Sequence, residues 1–376
     1  MGAAVDLSPT LRLLLLAGVG ALLPLAWVWL RQGRADGRSR LAMLTAVTLF
    51  LTFDLIVFGS FTRLSDSGLG CPDWPGCYGH ASPIGADVPI AKAEAAMPTG
   101  PVTETKAWIE MIHRYLAMVV GALCLVMAAA SWWQRQDLPH SPWWPTVTLV
   151  WVIVQGLFGK FTVTLKLYPA VVTLHLLGGL VLLGLLAVQR EAFLGARLML
   201  PPALRRAAQV TLAVLAVQIA LGGWVSTNYA VLACTGFPSC NGQWWPTADW
   251  QQGFTVMRHL GQTAGGELLP FSALVAIHWA HRLFALVAAG ALVALAIALW
   301  RAGGDLQRTW GRALLLLTGL QVATGLSNVV LQWPIVAALL HSAGAAALVL
   351  VLVLMLARSA TRTTPRQPAI VAAGLA

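Results

Sequence analysis

The sequence predicts an all-α polytopic membrane protein: two four-helix repeats in parallel orientation, making an eight-helix core, plus one extra N-terminal transmembrane helix. Three observations lead there. Of 376 residues, 58% are hydrophobic and only 10% charged, with mean hydropathy +0.74. A water-soluble domain could not cover that much apolar surface. Arginine clusters in alternate connections between apolar runs, and the second half of the chain repeats the chemistry-bearing residues of the first.

Apolar runs of spanning length occupy about 10–30, 41–62, 107–131, 145–166, 170–189, 205–227, 272–300, 308–330 and 333–357, giving nine helices. The connection at 31–40 carries Arg31, Arg34, Arg38 and Arg40. Later alternate connections carry Arg135, then Arg190, Arg197, Arg205 and Arg206, then Arg301, Arg308 and Arg312; the tail adds Arg358, Arg362 and Arg366. The intervening loops are arginine-poor and hold Asp66, Asp73, Asp87, Glu94 and Glu104. The arginine-rich side is therefore expected to be cytoplasmic, with the long loops at about 63–106 and 228–270 outward and the N-terminus outside. That asymmetry accounts for the net charge of +10, which in a soluble protein would suggest nucleic acid; here the partner is a lipid bilayer and no nucleic acid is expected. The first run is read as an anchor. It is long, lacks an A-x-A-like cleavage site and is followed by arginines. Met1–Pro9 contains Asp6 and no basic residue, unlike a transit peptide, so a bacterial plasma (inner) membrane is expected.

The repeat emerges once the first helix is set aside. Gly59 precedes Cys71 by the distance that separates Gly222 from Cys234, and Cys71/Cys77 share their spacing with Cys234/Cys240. Pro75 matches Pro238, and His113-Arg114 matches His281-Arg282. Gln155, Gly159 and His175 match Gln321, Gly325 and His341 at one constant offset. Each unit has four helices, an even number, so both copies cross in the same direction, about a pseudo-axis along the membrane normal. The expected divisions are 1–40 (extra helix and arginine-rich loop), 41–190 (first repeat), 191–360 (second repeat) and 361–376 (cytoplasmic tail).

The chemistry concentrates at the heads of the apolar runs. Trp108-Ile-Glu110-Met-Ile-His113-Arg114-Tyr115 puts a carboxylate, an imidazole and a guanidinium where hydrocarbon solvates none of them well. Glu110 and His113, three apart, share a helix face. The figure recurs as His278-Trp-Ala-His281-Arg282, with histidine in place of glutamate. At 1.5 Å per residue His113 lies roughly 10 Å below Lys106, and His175 and His341 are similarly deep. A single imidazole at such depth usually makes an interhelical hydrogen bond. Four in two matched pairs, one member of each followed by arginine, suit bis-imidazole ligation of a porphyrin, with Arg114 and Arg282 for its propionates. His80, His140 and His259 lie in loops and are read as solvated, and His278 stays open. Zinc fits less well, since neither cysteine pair has CxxC spacing. Disulfides Cys71–Cys77 and Cys234–Cys240 are expected on the oxidising side, as structural staples or, in the first pair, as redox-active thiols beside the site. Cys124, alone within a helix, is read as packing. Glu110 has two readings: an ion pair with Arg114 that holds the helix head, or a group that acts on a substrate.

Gly59-Ser-Phe-Thr-Arg63-Leu-Ser-Asp-Ser67-Gly-Leu-Gly-Cys71-Pro-Asp-Trp74-Pro-Gly-Cys77, followed by Glu110-Met-Ile-His113-Arg114, resembles the haem A synthase family, and the resemblance extends over about 41–357. It implies an eight-helix core that oxidises a methyl group of haem O, through successive hydroxylation, to the formyl group of haem A for cytochrome oxidase. By the resemblance, His113 and His175 flank haem O in the first half, and His281 and His341 ligate a resident haem b in the second. Glu110 is similar to the family's essential carboxylate, and Cys71 and Cys77 to its outward cysteine pair. Water is the implied oxygen source. The implied partners are haem O, haem O synthase, cytochrome oxidase assembly factors and an electron acceptor that the sequence does not name, with room for a homo-oligomer. The extra helix at about 10–30 departs from the eight-helix pattern. Two other functions stay open on the residues alone: a dihaem b electron-transfer cytochrome, and a membrane thiol-disulfide oxidoreductase that uses both cysteine pairs and a quinone.

Overall fold

Runs of 22 to 31 residues without an interior charge cluster are long enough to cross hydrocarbon as helices, the backbone's own ladder satisfying its polar groups. The computed structural model describes residues 8–138, 140–195 and 198–359. Asp6, Arg197 and the tail at 361–376, with Arg362 and Arg366, lie outside the described residues. The elements are α1 (Ser8–Gln32), α2 (Gly37–Leu64), a 3-10 turn (Pro83–Ala86), α3 (Asp87–Ala96), α4 (Glu104–Trp133), α5 (Trp143–Thr164) and α6 (Pro169–Leu194). They continue with α7 (Pro202–Thr227), a 3-10 turn (Ala230–Leu232), α8 (Trp250–Gly253), α9 (Phe271–Arg301), α10 (Asp305–Val330) and α11 (Ile335–Ser359). Among the described residues nine helices have the length and apolarity of membrane spans, and the only strand-like pairs are isolated bridges. The chain is a multi-pass helical membrane protein.

The helix ends follow local chemistry. Asp36 caps α2 by accepting the Ser39 N–H at 2.9 Å, and that bond holds its carboxyl below the usual range. Thr103 accepts the Lys106 N–H at 3.3 Å, so α4 starts at Glu104, ahead of the purely apolar run. Asp305 likewise extends α10 back from about 308, an acid suiting the positive end of the helix dipole. Pro169 and Pro202 open α6 and α7, and Gly195 closes α6 in the left-handed conformation.

One group of helices forms as α2 packs on α4 and α6, with α5 against both of the latter. A second forms as α7 packs on α9 and α11, with α10 against α9 and α11. The groups meet where α6 and α2 touch α11 and where α6 touches α7, and α1 lies outside, against α4 and part of α2. Alternate crossing brings 65–103, 165–168, 228–270 and 331–334 to one end, the loop end. There Arg63 Nη2 donates to Ser226 O at 2.5 Å, its guanidinium lies 3.9 Å from the Tyr229 ring centroid, and the Tyr229 hydroxyl donates to Asp66 Oδ1 at 2.5 Å.

Between the ends the core is largely apolar, and one set of buried polar side chains hydrogen-bonds across helices. Thr45, Thr148 and Gln189 are fully buried: Thr148 Oγ1 donates to Gln189 Oε1 at 3.2 Å, and Gln189 Nε2 to Thr45 Oγ1 at 3.3 Å. The residues at the corresponding positions of the second half, Ala208, Leu314 and Met355, are buried and apolar. Cys124 is buried and unpaired, as a packing residue should be. His140 is not the solvated histidine that the sequence suggests: it is half-buried, its ring centroid 4.2 Å from that of Phe193, because the short α4–α5 connection lies against the end of α6.

At the arginine-rich end, Glu191 of α6 is 3% exposed and accepts from Arg358 of α11 at 2.9 and 3.2 Å and from Arg190 at 2.6 Å. This carboxylate joins the two groups. Glu191→Ala would leave two partly buried guanidinium groups unpaired and should destabilise by about 1–3 kcal/mol, less than a fully buried pair because both arginines keep some solvent. The measurement is Tm in detergent; an unchanged Tm would remove the joint from the list of stabilising contacts.

Candidate functional site

Glu110 and Arg114 are one turn apart on α4, 4% and 9% exposed, so neither can be left to solvent. They pair directly, Arg114 Nη2 donating to Glu110 Oε1. The second carboxylate oxygen, Oε2, accepts the backbone N–H of Cys71 at 2.8 Å. Arg114 Nη1 donates to the carbonyls of Asp73 (2.9 Å), Pro75 (3.3 Å) and Gly76 (2.5 Å). The loop thus lies over the helix head with both charges bound to its main chain.

That loop is closed by the Cys71–Cys77 disulfide, both sulfurs fully buried. Asp73 accepts the Tyr78 and Gly79 N–H groups at 2.6 and 2.7 Å, both residues in the left-handed region. A bridge pairs Cys77 with His80. The second half builds the same object. Cys234–Cys240 closes a loop, the following Asn241 and Gly242 are left-handed, and Cys240 bridges to Gln243. Arg282 donates to the carbonyls of Gly236 (2.9 Å), Ser239 (3.2 Å) and Cys234 (2.6 Å). Where Glu110 would stand is His278, 5% exposed, whose Nε2 accepts from Arg282 Nε at 3.2 Å. The residue left open in the sequence is therefore the neutral counterpart of Glu110. In both arginines Nη1 donates to carbonyls of the disulfide loop.

The four histidines are half-buried and point between helices. His113 lies within electrostatic range of His175, and His281 of His341. Each faces a glycine on a neighbouring helix. A Cβ on Gly59 would stand 2.8 Å from His113 Cε1, and one on Gly222 2.9 Å from His281 Cε1. The corresponding distances are 3.6 Å for Gly159 and His175, and 3.1 Å for Gly325 and His341. The ring of Phe58 stacks on that of His113, centroids 6.3 Å apart. His341 Nδ1 lies 3.1 Å from both Gln321 O and Thr324 Oγ1, and His281 Nδ1 lies 3.0 Å from Gln218 Nε2. His113 Nδ1 and His175 Nδ1 are buried without a partner. Gln218, Thr324 and Phe58 were not singled out from sequence, where only proximity to a histidine in space distinguishes them. His80 and His259 are exposed.

A sequence profile of the family described as cytochrome oxidase assembly protein, COX15-CtaA, matches residues 42–353. A haem A synthase of Shewanella oneidensis is 40% identical over 319 residues, covering 82% of this chain and 94% of that protein. The chain belongs to the haem A synthase family. Further members similar to it are the haem A synthases of Sphingopyxis alaskensis, 29% identical over 344 residues (85% of this chain, 92% of that protein), and Shouchella clausii, 29% identical over 218 residues (56% and 66%). The family match begins after α1, which stands outside it.

The glycine–imidazole distances give the site a test in this haem A synthase family member. A methyl at Gly59 or Gly222 is closer than van der Waals contact allows and must push the imidazole aside, whereas one at Gly159 makes an ordinary contact. Gly59→Ala and Gly222→Ala should each lower the haem content of purified protein severalfold, while Gly159→Ala stays near wild type. Equal haem in all three by pyridine haemochrome assay would detach these histidines from haem binding.

Proposed function

We propose that this protein is a haem A synthase that oxidises a methyl group of haem O to the formyl group of haem A, with water as the oxygen source. In this reading α2, α4, α5 and α6 form a first repeat (41–190) that holds haem O between His113 and His175. Helices α7, α9, α10 and α11 form a second repeat (191–360) that holds a resident haem b between His281 and His341. The loop end faces outward and the arginine-rich end the cytoplasm of a bacterial plasma membrane, in accord with arginine placement and with disulfides that need an oxidising side.

The donor set fits the group. Two imidazoles per half reach toward each other, glycines on the facing helices leave room that a Cβ would fill, and His341 Nδ1, 3.1 Å from the Gln321 carbonyl, can give its proton there and leave Nε2 for a metal. When bound at His281 and His341, haem b would supply reversible one-electron storage. What this chain's residues do is bind, orient and move protons.

One observation carries the assignment of roles. Two helix heads have the same disulfide loop and the same loop-bound arginine, yet one has Glu110 and the other His278. In the second half a histidine takes the carboxylate's place beside the loop-bound arginine. In the first half the Cys71 N–H and Arg114 orient the two oxygens of Glu110. A carboxylate so oriented can take a proton from an attacking water, or stabilise positive charge developing on the oxidised methyl carbon. The loop covers this group, so such water is drawn from a confined supply. Electrons leave to an external acceptor. Haem O synthase and cytochrome oxidase assembly factors are the proposed neighbours in the membrane.

Two measurements test the reading. Protein made in cells that lack haem O should still carry one haem b, and loss of all haem in that background would refute a resident haem in the second half. Glu110→Gln preserves shape and hydrogen-bond acceptance at one oxygen but cannot accept the proton. It should keep haem b, still bind haem O, and make little or no haem A by pigment extraction. Near-normal haem A would end the catalytic role.

A further inference from the structure

Arg258 lies in the loop between α7 and α9, beyond the spans, and is nevertheless 2% exposed. Its Nη2 donates to Asn228 Oδ1 at 2.6 Å, and Nη1 makes only a long contact of 3.5 Å to Gln262 O. Nε is buried without a partner. The guanidinium carbon stands 5.6 Å from the Trp224 ring centroid. Among the described residues no carboxylate lies within ion-pair distance of it. Burial draws its pKa below the ordinary arginine value.

The other buried guanidinium groups are provided for. Arg114 has Glu110 and three carbonyls, and Arg282 has three carbonyls and His278. A buried cation with an unused donor and no counter-charge is costly unless an anion completes it. Its surroundings say which. Trp224 and Asn228 end α7, two and six residues beyond the Gly222 that faces His281. Tyr168 precedes α6, which carries His175, and a 3.2 Å contact between Thr173 and Thr227 hydroxyls joins the two helices there. Arg258 therefore caps the seam at the loop end, above the imidazole level, with its back to an indole. A planar fork with a free N–H suits a carboxylate.

We propose that Arg258 and Asn228 form a carboxylate site that receives a propionate of the haem ligated by His281 and His341. This rests on the haem assignment made above. It moves the propionate role from Arg114 and Arg282, whose Nη1 donors hold the disulfide loops, to a loop residue whose guanidinium lacks an acid.

Full-length protein made without haem, in detergent, is titrated with haem b and with haem b dimethyl ester, whose propionates cannot carry charge. Wild type should bind the ester about tenfold or more weakly, the factor expected for one charge-assisted hydrogen bond. Arg258→Met should bind the two equally, and Arg258→Lys, which keeps the charge but loses the fork, should fall between. Tm and retention of the Cys234–Cys240 disulfide report that the variants are folded; where Arg258→Met does not accumulate, the lysine variant alone decides. Undiminished discrimination in the folded variants would overturn the site while leaving the haem reading intact. Failure of wild type to bind haem b would overturn both.

Discussion

A carboxylate and a guanidinium one turn apart on α4, both out of reach of solvent, require main-chain partners, and the 65–103 loop supplies them. Cys71 gives its N–H to Glu110, and Asp73, Pro75 and Gly76 give carbonyls to Arg114. Each element of the loop serves that geometry. The disulfide sets the reach, Asp73 gathers the two left-handed residues, and the Cys77–His80 bridge turns the chain back. Without the loop the ion pair would be an uncompensated burial of two charges; without the pair the loop would lose its underlying anchor.

The same construction stands in the second half with His278 for Glu110. The arginine and its carbonyls suffice to seat the loop. The carboxylate is additional. A second difference lies deeper, where Thr45, Thr148 and Gln189 hydrogen-bond across helices while Ala208, Leu314 and Met355 pack as hydrocarbon. The half proposed to do chemistry is thus the more polar of the two in its core as well as at its mouth.

Much of this was legible in the sequence because membranes restrict the options. Hydrocarbon forces each span to be a long apolar helix, so nine helices could be read within a few residues of their ends. Matched spacings paired the cysteines and singled out Glu110, His113, His175, His281 and His341. What stayed illegible was what needs the third dimension. Nothing in the spacing of Arg114 and Arg282 tells that their donors turn back to loop carbonyls. Gly59 and Gly222 serve as markers of the repeat, yet their closeness to imidazoles depends on how α2 meets α4 and α7 meets α9. Arg258 is one arginine in a polar loop until burial shows that it lacks an acid. His140 stands among neighbours that read as an ordinary turn, and its ring partner Phe193 is more than fifty residues away.

The bond between Cys71 N–H and Glu110 also imposes a chronology. The carboxylate is positioned by a peptide group whose place depends on a ring of chain closed through sulfur. Newly made polypeptide has the helix and its acid first, and the ring only after the thiols have been oxidised. Maturation therefore runs from sulfur to carboxylate: the peptide N–H that holds the acid belongs to the residue that must first be cross-linked.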